Sequence, residues 1–214
     1  MMVATDVPLP VFEFLGNRLC LDFTNTLKDT DGSRELPSNY EELVAWSKQA
    51  GILTDEGAEQ LLAKAAHRPA EAAMAFQRAV VLRETLFHIF SRIAKDEQVE
   101  ESDMDTLNTM LAETMLHARL VPKGKCCEWS WMAQHDVLDR MLWPVIRSAA
   151  DLLTSEELWT VKVCASESCN WLFLDTSKNQ SRRWCDMKSC GNRAKVRRHY
   201  ERKKHPSARD SLYP

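Results

Sequence analysis

Apolar and polar positions alternate from Val11 to Phe23 on both sides of a Gly16-Asn17 pair, which predicts a strand, a tight turn and a second strand over residues 11–23. Ser38 and Glu41 have the spacing of a capping box, in which hydroxyl and carboxylate satisfy the free N–H groups at a helix start. Leu43, Val44, Trp46 and Ala50 then recur at helical spacing, and Gly51 is the expected stop. Helical patterning continues over residues 55–66. It resumes over residues 69–95, where Phe76, Val80, Leu82, Leu86, Phe87, Phe90 and Ile93 form a broad apolar stripe. A further helix is expected from Ser102 to His117. Residues 119–121 and 128–132, joined around Lys123-Gly124-Lys125, predict another hairpin. Helical periodicity returns over residues 134–153, bent or interrupted near Pro144, and the polar stretch 29–37 predicts a surface loop. The pattern is thus α+β: a mostly helical N-terminal domain over residues 1–154 with small antiparallel hairpins.

Composition narrows the class. With 44% hydrophobic and 28% charged residues among 214, the chain is globular rather than disordered. No apolar run approaches the ~18–20 residues of a membrane span, and the first residues lack the basic start and apolar core of a secretory signal. Secretion and membrane insertion are therefore not expected. The net charge of −3 conceals a polarised chain: residues 1–159 carry −11 and residues 160–214 carry +8. An acidic body with a basic end is the asymmetry expected of a protein that meets a polyanion through that end.

Seven cysteines, an odd number, argue against a disulfide framework. Four of them form two pairs of identical spacing, Cys164-x4-Cys169 and Cys185-x4-Cys190, separated by a length suited to a strand-turn-strand. Such pairs form knuckles that aim four thiolates at one point, closing a tetrahedron of sulfurs that leaves no open position for a substrate water. Thiolates select zinc, with an iron–sulfur centre as the lesser option. A small four-cysteine, zinc-ribbon-like module is therefore expected over residues 160–205, followed by a tail over 206–214, with one structural Zn2+ per chain. The apolar Trp171-Leu-Phe-Leu-Asp175 should be a strand against the metal. Gly191 is expected to turn left-handed after the last ligand, and a basic helix should run from about Arg193 to Lys204. Cys20, Cys126 and Cys127 are expected to be buried or half-buried thiols.

Cys190-Gly191-Asn192-Arg193, together with Trp171 to Asp175, Ser181-Arg-Arg-Trp-Cys185 and Ala194-Lys195, resembles the CGNR zinc-finger proteins, described as stress-induced transcription regulators. Leu19-Cys-Leu-Asp-Phe-Thr-Asn-Thr26 is similar to the opening signature of the ABATE domain that precedes the finger in that family, and residues 40–51 are similar to its next helix with a central tryptophan. The resemblance implies a bacterial, cytoplasmic regulator whose C-terminal finger binds DNA.

Arg182, Arg183, Lys188, Arg193, Lys195, Arg197, Arg198 and Arg202 are the candidate nucleic-acid contacts. On a helix from Arg193, positions 193, 197 and 200–204 share one side, and Lys195, Arg198 and Arg202 share the next. Arginine suits guanine edges and lysine suits phosphates. Double-stranded DNA is the expected partner, with docking of the basic finger on an acidic protein as the alternative. In the body, Asp22, Asn25, Thr26 and Arg83 are candidate ligand-binding residues for a small-molecule effector; the competing reading makes them caps and an internal ion pair. A homodimer would give avidity. The six histidines show no paired metal spacing, and no P-loop, GxGxxG or GxSxG is present, so no enzyme is expected; a site near Asp22, Asn25 and Arg83 is the remaining catalytic alternative.

Overall fold

A computed structural model describes residues 10–27, 37–132 and 137–204, the last three of these by backbone alone. Seven helices and two two-stranded ribbons follow one another in the described residues: α1 (Leu19–Thr24), α2 (Tyr40–Gln49), α3 (Asp55–His67), α4 (Pro69–Ile93), α5 (Glu101–Met115), β1 (Ala118–Lys123), β2 (Cys126–Trp131), α6 (Trp143–Leu153), β3 (Val161–Val163), β4 (Leu172–Leu174) and α7 (Asn192–Lys204). The expected mostly helical body with small antiparallel ribbons is what forms. The expected loop at 29–37, apart from Pro37, and the tail at 206–214 lie outside the described residues.

Helix α4 is the axis of the body, packed by α1, α2, α3, α5 and the β3–β4 ribbon. Its stripe delivers Leu82, Leu86, Ile89 and Phe90 fully into the core, while Phe76, Val80, Phe87 and Ile93 are half-buried. Trp46 of α2 sits at the centre, with Phe23 edge-on at 5.0 Å. Such fully buried aromatic contacts anchor a core by burial and by ring geometry together.

Three local expectations are corrected. The first hairpin does not form: residues 10–15 carry no regular structure, and Leu19 to Thr24 is a helix. Cys20, Leu21 and Phe23 are all buried, so this segment has neither the period of a strand nor that of a half-exposed helix. Its turn also differs from a hairpin turn. Asn17, not Gly16, takes the left-handed conformation (φ 62°). Gly16 is needed for space, since a Cβ there would lie 2.8 Å from Leu21 Cβ and 2.9 Å from the Asp22 nitrogen. The cap of α2 is displaced by one residue. Asn39 Oδ1 accepts from Glu42 N–H (2.8 Å), and Glu42 Oε2 reaches back to Ser38 N–H (2.8 Å). Helix α2 does end at Gly51 as expected. Finally, Pro144 lies in the first turn of α6, where its missing N–H has no helical partner to lose, so it starts that helix instead of bending a longer one. The expected helical run from Gln134 lies outside the described residues as far as residue 136.

The second ribbon ties the C-terminal module to the body. Along β4 the side chains alternate: Leu172 and Leu174, with Val161 of β3, join the core of the body, whereas Trp171 and Phe173 join the cysteine cluster. This is the period of two of a strand buried on both faces.

Candidate metal centre and basic helix

Cys164 follows β3, and Cys169 precedes β4. The β3–β4 ribbon therefore brackets the first cysteine pair, and does not lie between the two pairs as the spacing suggested. Cys164 N–H donates to Trp171 O (2.8 Å) and Cys169 N–H to Ser166 O (2.9 Å), which folds the first knuckle. In the second pair, Cys185 lies in a bend and Cys190 in a helical turn just after it. Asp186 Oδ2 accepts from Ser189 N–H at 2.7 Å and caps a π-turn, Met187–Gly191, which carries Cys190 and runs straight into α7. Gly191 is helical here and not left-handed, a correction to the expectation: a Cβ would meet only the movable end of the exposed Met187 side chain (Sδ at 2.9 Å), so neither φ nor backbone crowding demands a glycine.

The four thiols are buried, and their sulfurs all lie within 4.8 Å of one another. Cys169 and Cys185 Sγ are 3.8 Å apart, and Cys185 and Cys190 Sγ 3.7 Å. A tetrahedron with metal–sulfur bonds of about 2.3 Å has edges of about 3.8 Å, so the cluster already has the dimensions of a four-thiolate zinc site. Bonds from the Cys169 and Cys185 thiols pull Cys164 well below the usual thiol range, while Cys169 is pushed up, chiefly by the bond with Cys164. Zinc is held by thiolates, so metal binding must displace the protons that these thiols carry. These cysteines hold one structural Zn2+.

The surroundings complete the centre. Cys185 N–H donates to Cys164 Sγ (3.5 Å), and Arg193 Nη2 donates to Cys190 Sγ (3.2 Å). Both place positive hydrogen on sulfurs that carry the site's negative charge. Asp175 is buried beside the cluster and accepts from Lys162 Nζ (2.6 Å), Ser177 N–H (3.0 Å) and Arg182 N–H (2.8 Å). Burial alone would raise this carboxyl, but these donors together outweigh it and hold it well below the usual carboxylate range.

The candidate basic contacts divide into two groups. Arg182 is engaged inside the module: Nε donates to Trp184 O (2.8 Å), Nη2 to Cys185 O, and the guanidinium lies 4.5 Å from the Phe173 ring centroid. Arg193 leans on Cys190. Arg183, Lys188, Lys195, Arg197 and Arg198 are exposed. Of these, Arg197 pairs with Glu167 and Glu201, and Arg198 and Arg183 flank the Trp184 ring. Arg202 is on α7, and its side chain lies outside the described residues. Trp171 is buried in the module and Trp184 half-buried against it.

The four candidate pocket residues of the body are buried and bonded to backbone. Asp22 Oδ1 accepts from Gly16 N–H (2.7 Å), Thr26 Oγ1 donates to Phe23 O (2.7 Å), and Arg83 Nη1 donates to Thr26 O (3.3 Å). Burial pushes the Asp22 carboxyl up to about 6 despite the Gly16 and Leu15 N–H groups. Asn25 reaches across to β4: Nδ2 donates to Leu172 O (2.9 Å) and Oδ1 accepts from Leu172 N–H (2.7 Å). Sequence reasoning had singled out Asn25 but not this partner, 147 residues away. It also missed Asp186, whose three-residue spacing to Ser189 was a readable cap signal. Cys20 is buried as expected, whereas Cys126 and Cys127 are exposed on β2, which corrects that expectation.

Comparison with protein families matches both parts of the chain. The ABATE family, described as "Putative stress-induced transcription regulator", matches residues 17–156, and the CGNR zinc finger matches residues 160–203. No curated protein matches the chain. No helix among the described residues is long and apolar enough to cross a membrane. With its buried four-cysteine centre set against an ABATE body over most of its length, the chain belongs to the ABATE family and carries a CGNR zinc finger.

Proposed function

We propose that this protein is a cytoplasmic transcription regulator that binds double-stranded DNA through its finger and α7, while the body senses a small ligand or mediates assembly, including homodimerisation. It is a binding protein and performs no catalytic step. The observation that carries the reading is the placement of cations: Arg183, Lys188, Lys195, Arg197 and Arg198 are all exposed on a rigid zinc-held module whose body is strongly acidic. Helix α7 packs on the π-turn that carries Cys190, so metal binding fixes the direction in which it projects. A projecting helix can enter a major groove, its arginines reaching base edges and its lysines phosphates. Arg197, now paired with Glu167, would exchange that carboxylate for a phosphate.

Fluorescence anisotropy of a mixed-sequence duplex, titrated with the zinc-loaded chain, tests this. Lys195→Ala/Arg198→Ala should weaken binding about tenfold or more, as expected for two lost charge contacts. Equal binding by this variant, or equal binding after chelation, contradicts the assignment of α7 as the reader.

A further inference from the structure

Arg140, in the short 3-10 turn before α6 (residues 140–142), is a cation without an anion. Among the described residues it has no carboxylate partner: Asp139 pairs with Arg78 (3.1 Å), Asp55 with Lys48 (2.7 Å), and Glu56 accepts from Gln60 (3.2 Å). Its Nε is buried with no hydrogen-bond acceptor, and Nη2 makes only a long bond to Gly57 O (3.4 Å). Buried guanidinium N–H groups are usually satisfied, so this side chain retains unused hydrogen-bonding capacity.

The guanidinium lines a pocket of about 260 Å³ whose other walls include Trp131, Trp143, Pro144, Ile52 and Met132. Trp131 and Trp143 meet at 47° with centroids 5.8 Å apart, and His117 stacks on Trp143 at 4.3 Å. These are fixed, flat, apolar surfaces of the kind that accept a planar ring. Thr54 also lines the pocket. Its Oγ1 accepts from Gly57 N–H (3.1 Å), which leaves its own proton available to donate.

We propose that this pocket binds a small aromatic carboxylate, with the ring against Trp131 and Trp143 and the carboxylate on Arg140 and Thr54. The guanidinium fork matches a carboxylate in two parallel bonds. The volume admits one ring or a compact fused pair. This site rests on the ligand-sensing half of the proposed function and not on its DNA-binding half. None of Asp22, Asn25, Thr26 and Arg83 lines this pocket.

Isothermal titration of the zinc-loaded full chain with sodium benzoate and with indole-3-carboxylate tests the site directly, with neutral benzamide as the control. One-site, saturable binding of a carboxylate probe with sub-millimolar Kd is expected, about tenfold weaker or more for benzamide and for Arg140→Gln, because a charge-assisted pair is lost. Met132→Trp, which fills the pocket from its exposed rim and leaves Arg140 in place, should abolish binding. It serves as the test should Arg140→Gln fail to fold. Absence of saturable binding by both carboxylates, equal binding of benzamide, or unchanged binding in Met132→Trp overturns the site. Binding that leaves DNA affinity unaltered upholds the site and removes the sensing role, so the two failures are distinguishable.

Discussion

The side-chain amide of Asn25 and the backbone of Leu172 bond to each other twice, at 2.9 and 2.7 Å, so that one residue of the N-terminal body completes the hydrogen bonding of a strand in the zinc module. An amide side chain here imitates the edge of a neighbouring strand. Leu174 N–H to Gly16 O (3.1 Å) continues the same seam, and an ion pair between Arg18 and Glu157 closes it at the surface. Body and finger are thereby one folded unit along β4.

Removing that clasp has a defined cost. Asn25→Ala deletes two buried bonds and leaves Leu172 N–H and C=O without partners, which should destabilise the protein by about 2–4 kcal/mol. Asn25→Asp is no rescue, since it loses the donor and sets a carboxylate oxygen against a carbonyl. Urea unfolding of both variants with zinc present checks this; a loss below about 0.5 kcal/mol would mean the seam carries no stability.

The shared core extends the prediction to the metal. Because Leu172, Leu174 and Val161 pack into the body, loss of zinc should loosen the body as well as the finger. Chelation is expected to lower the melting temperature of the whole helical signal. Cys169→Ser, which replaces one ligand, should have a similar effect. A body that melts at the same temperature with and without metal would show the two parts to be independent.

The sequence was most readable where physical signals are local. The α4 stripe, the Gly124 turn of the β1–β2 ribbon and the paired cysteines all depend on neighbours within a few residues. Those three are present where the pattern put them. The segment around Leu19 to Thr24 was misread because its residues are buried on every side by α4, α6 and β4, so its periodicity carries no information about its partners. Arg182 illustrates the same limit for the site: a charged residue in a basic stretch reads as a polyanion contact, yet its guanidinium holds two carbonyls of the second knuckle.

That placement separates Arg182 from its neighbours experimentally. Arg182→Ala should cost about 1.5–3 kcal/mol, the range for hydrogen bonds to a charged group, and should release zinc to a chelator more readily. The salt dependence of DNA binding by the folded, zinc-loaded variant should be unchanged. A reduced salt dependence with normal zinc retention would return Arg182 to the group of phosphate contacts.

Asp22 sets a pH dependence of known sign. Its folded value, raised to about 6, lies above that of an unfolded aspartate, so the folded state holds the proton more tightly. Its stabilising contribution is complete below about pH 4 and is lost as pH rises through 6. Asp22→Asn keeps an acceptor for Gly16 N–H and has no proton to lose. The stability of this variant relative to the parent should therefore increase between pH 4.5 and 7, by up to about 3 kcal/mol for a shift of about two units. The difference between the two proteins cancels the pH dependence of the metal itself. A difference that is flat across this range would show that Asp22 titrates normally.

The most direct test of the account is the salt dependence of duplex DNA binding by the zinc-loaded chain. If the exposed cations of the finger and α7 displace counterions, log K should fall linearly with log salt concentration, with a slope of about −3 to −5. Lys195→Ala/Arg198→Ala should reduce that slope by about two. Binding that is absent at low salt, or present but insensitive to salt and to this variant, would contradict the assignment of this surface to nucleic acid.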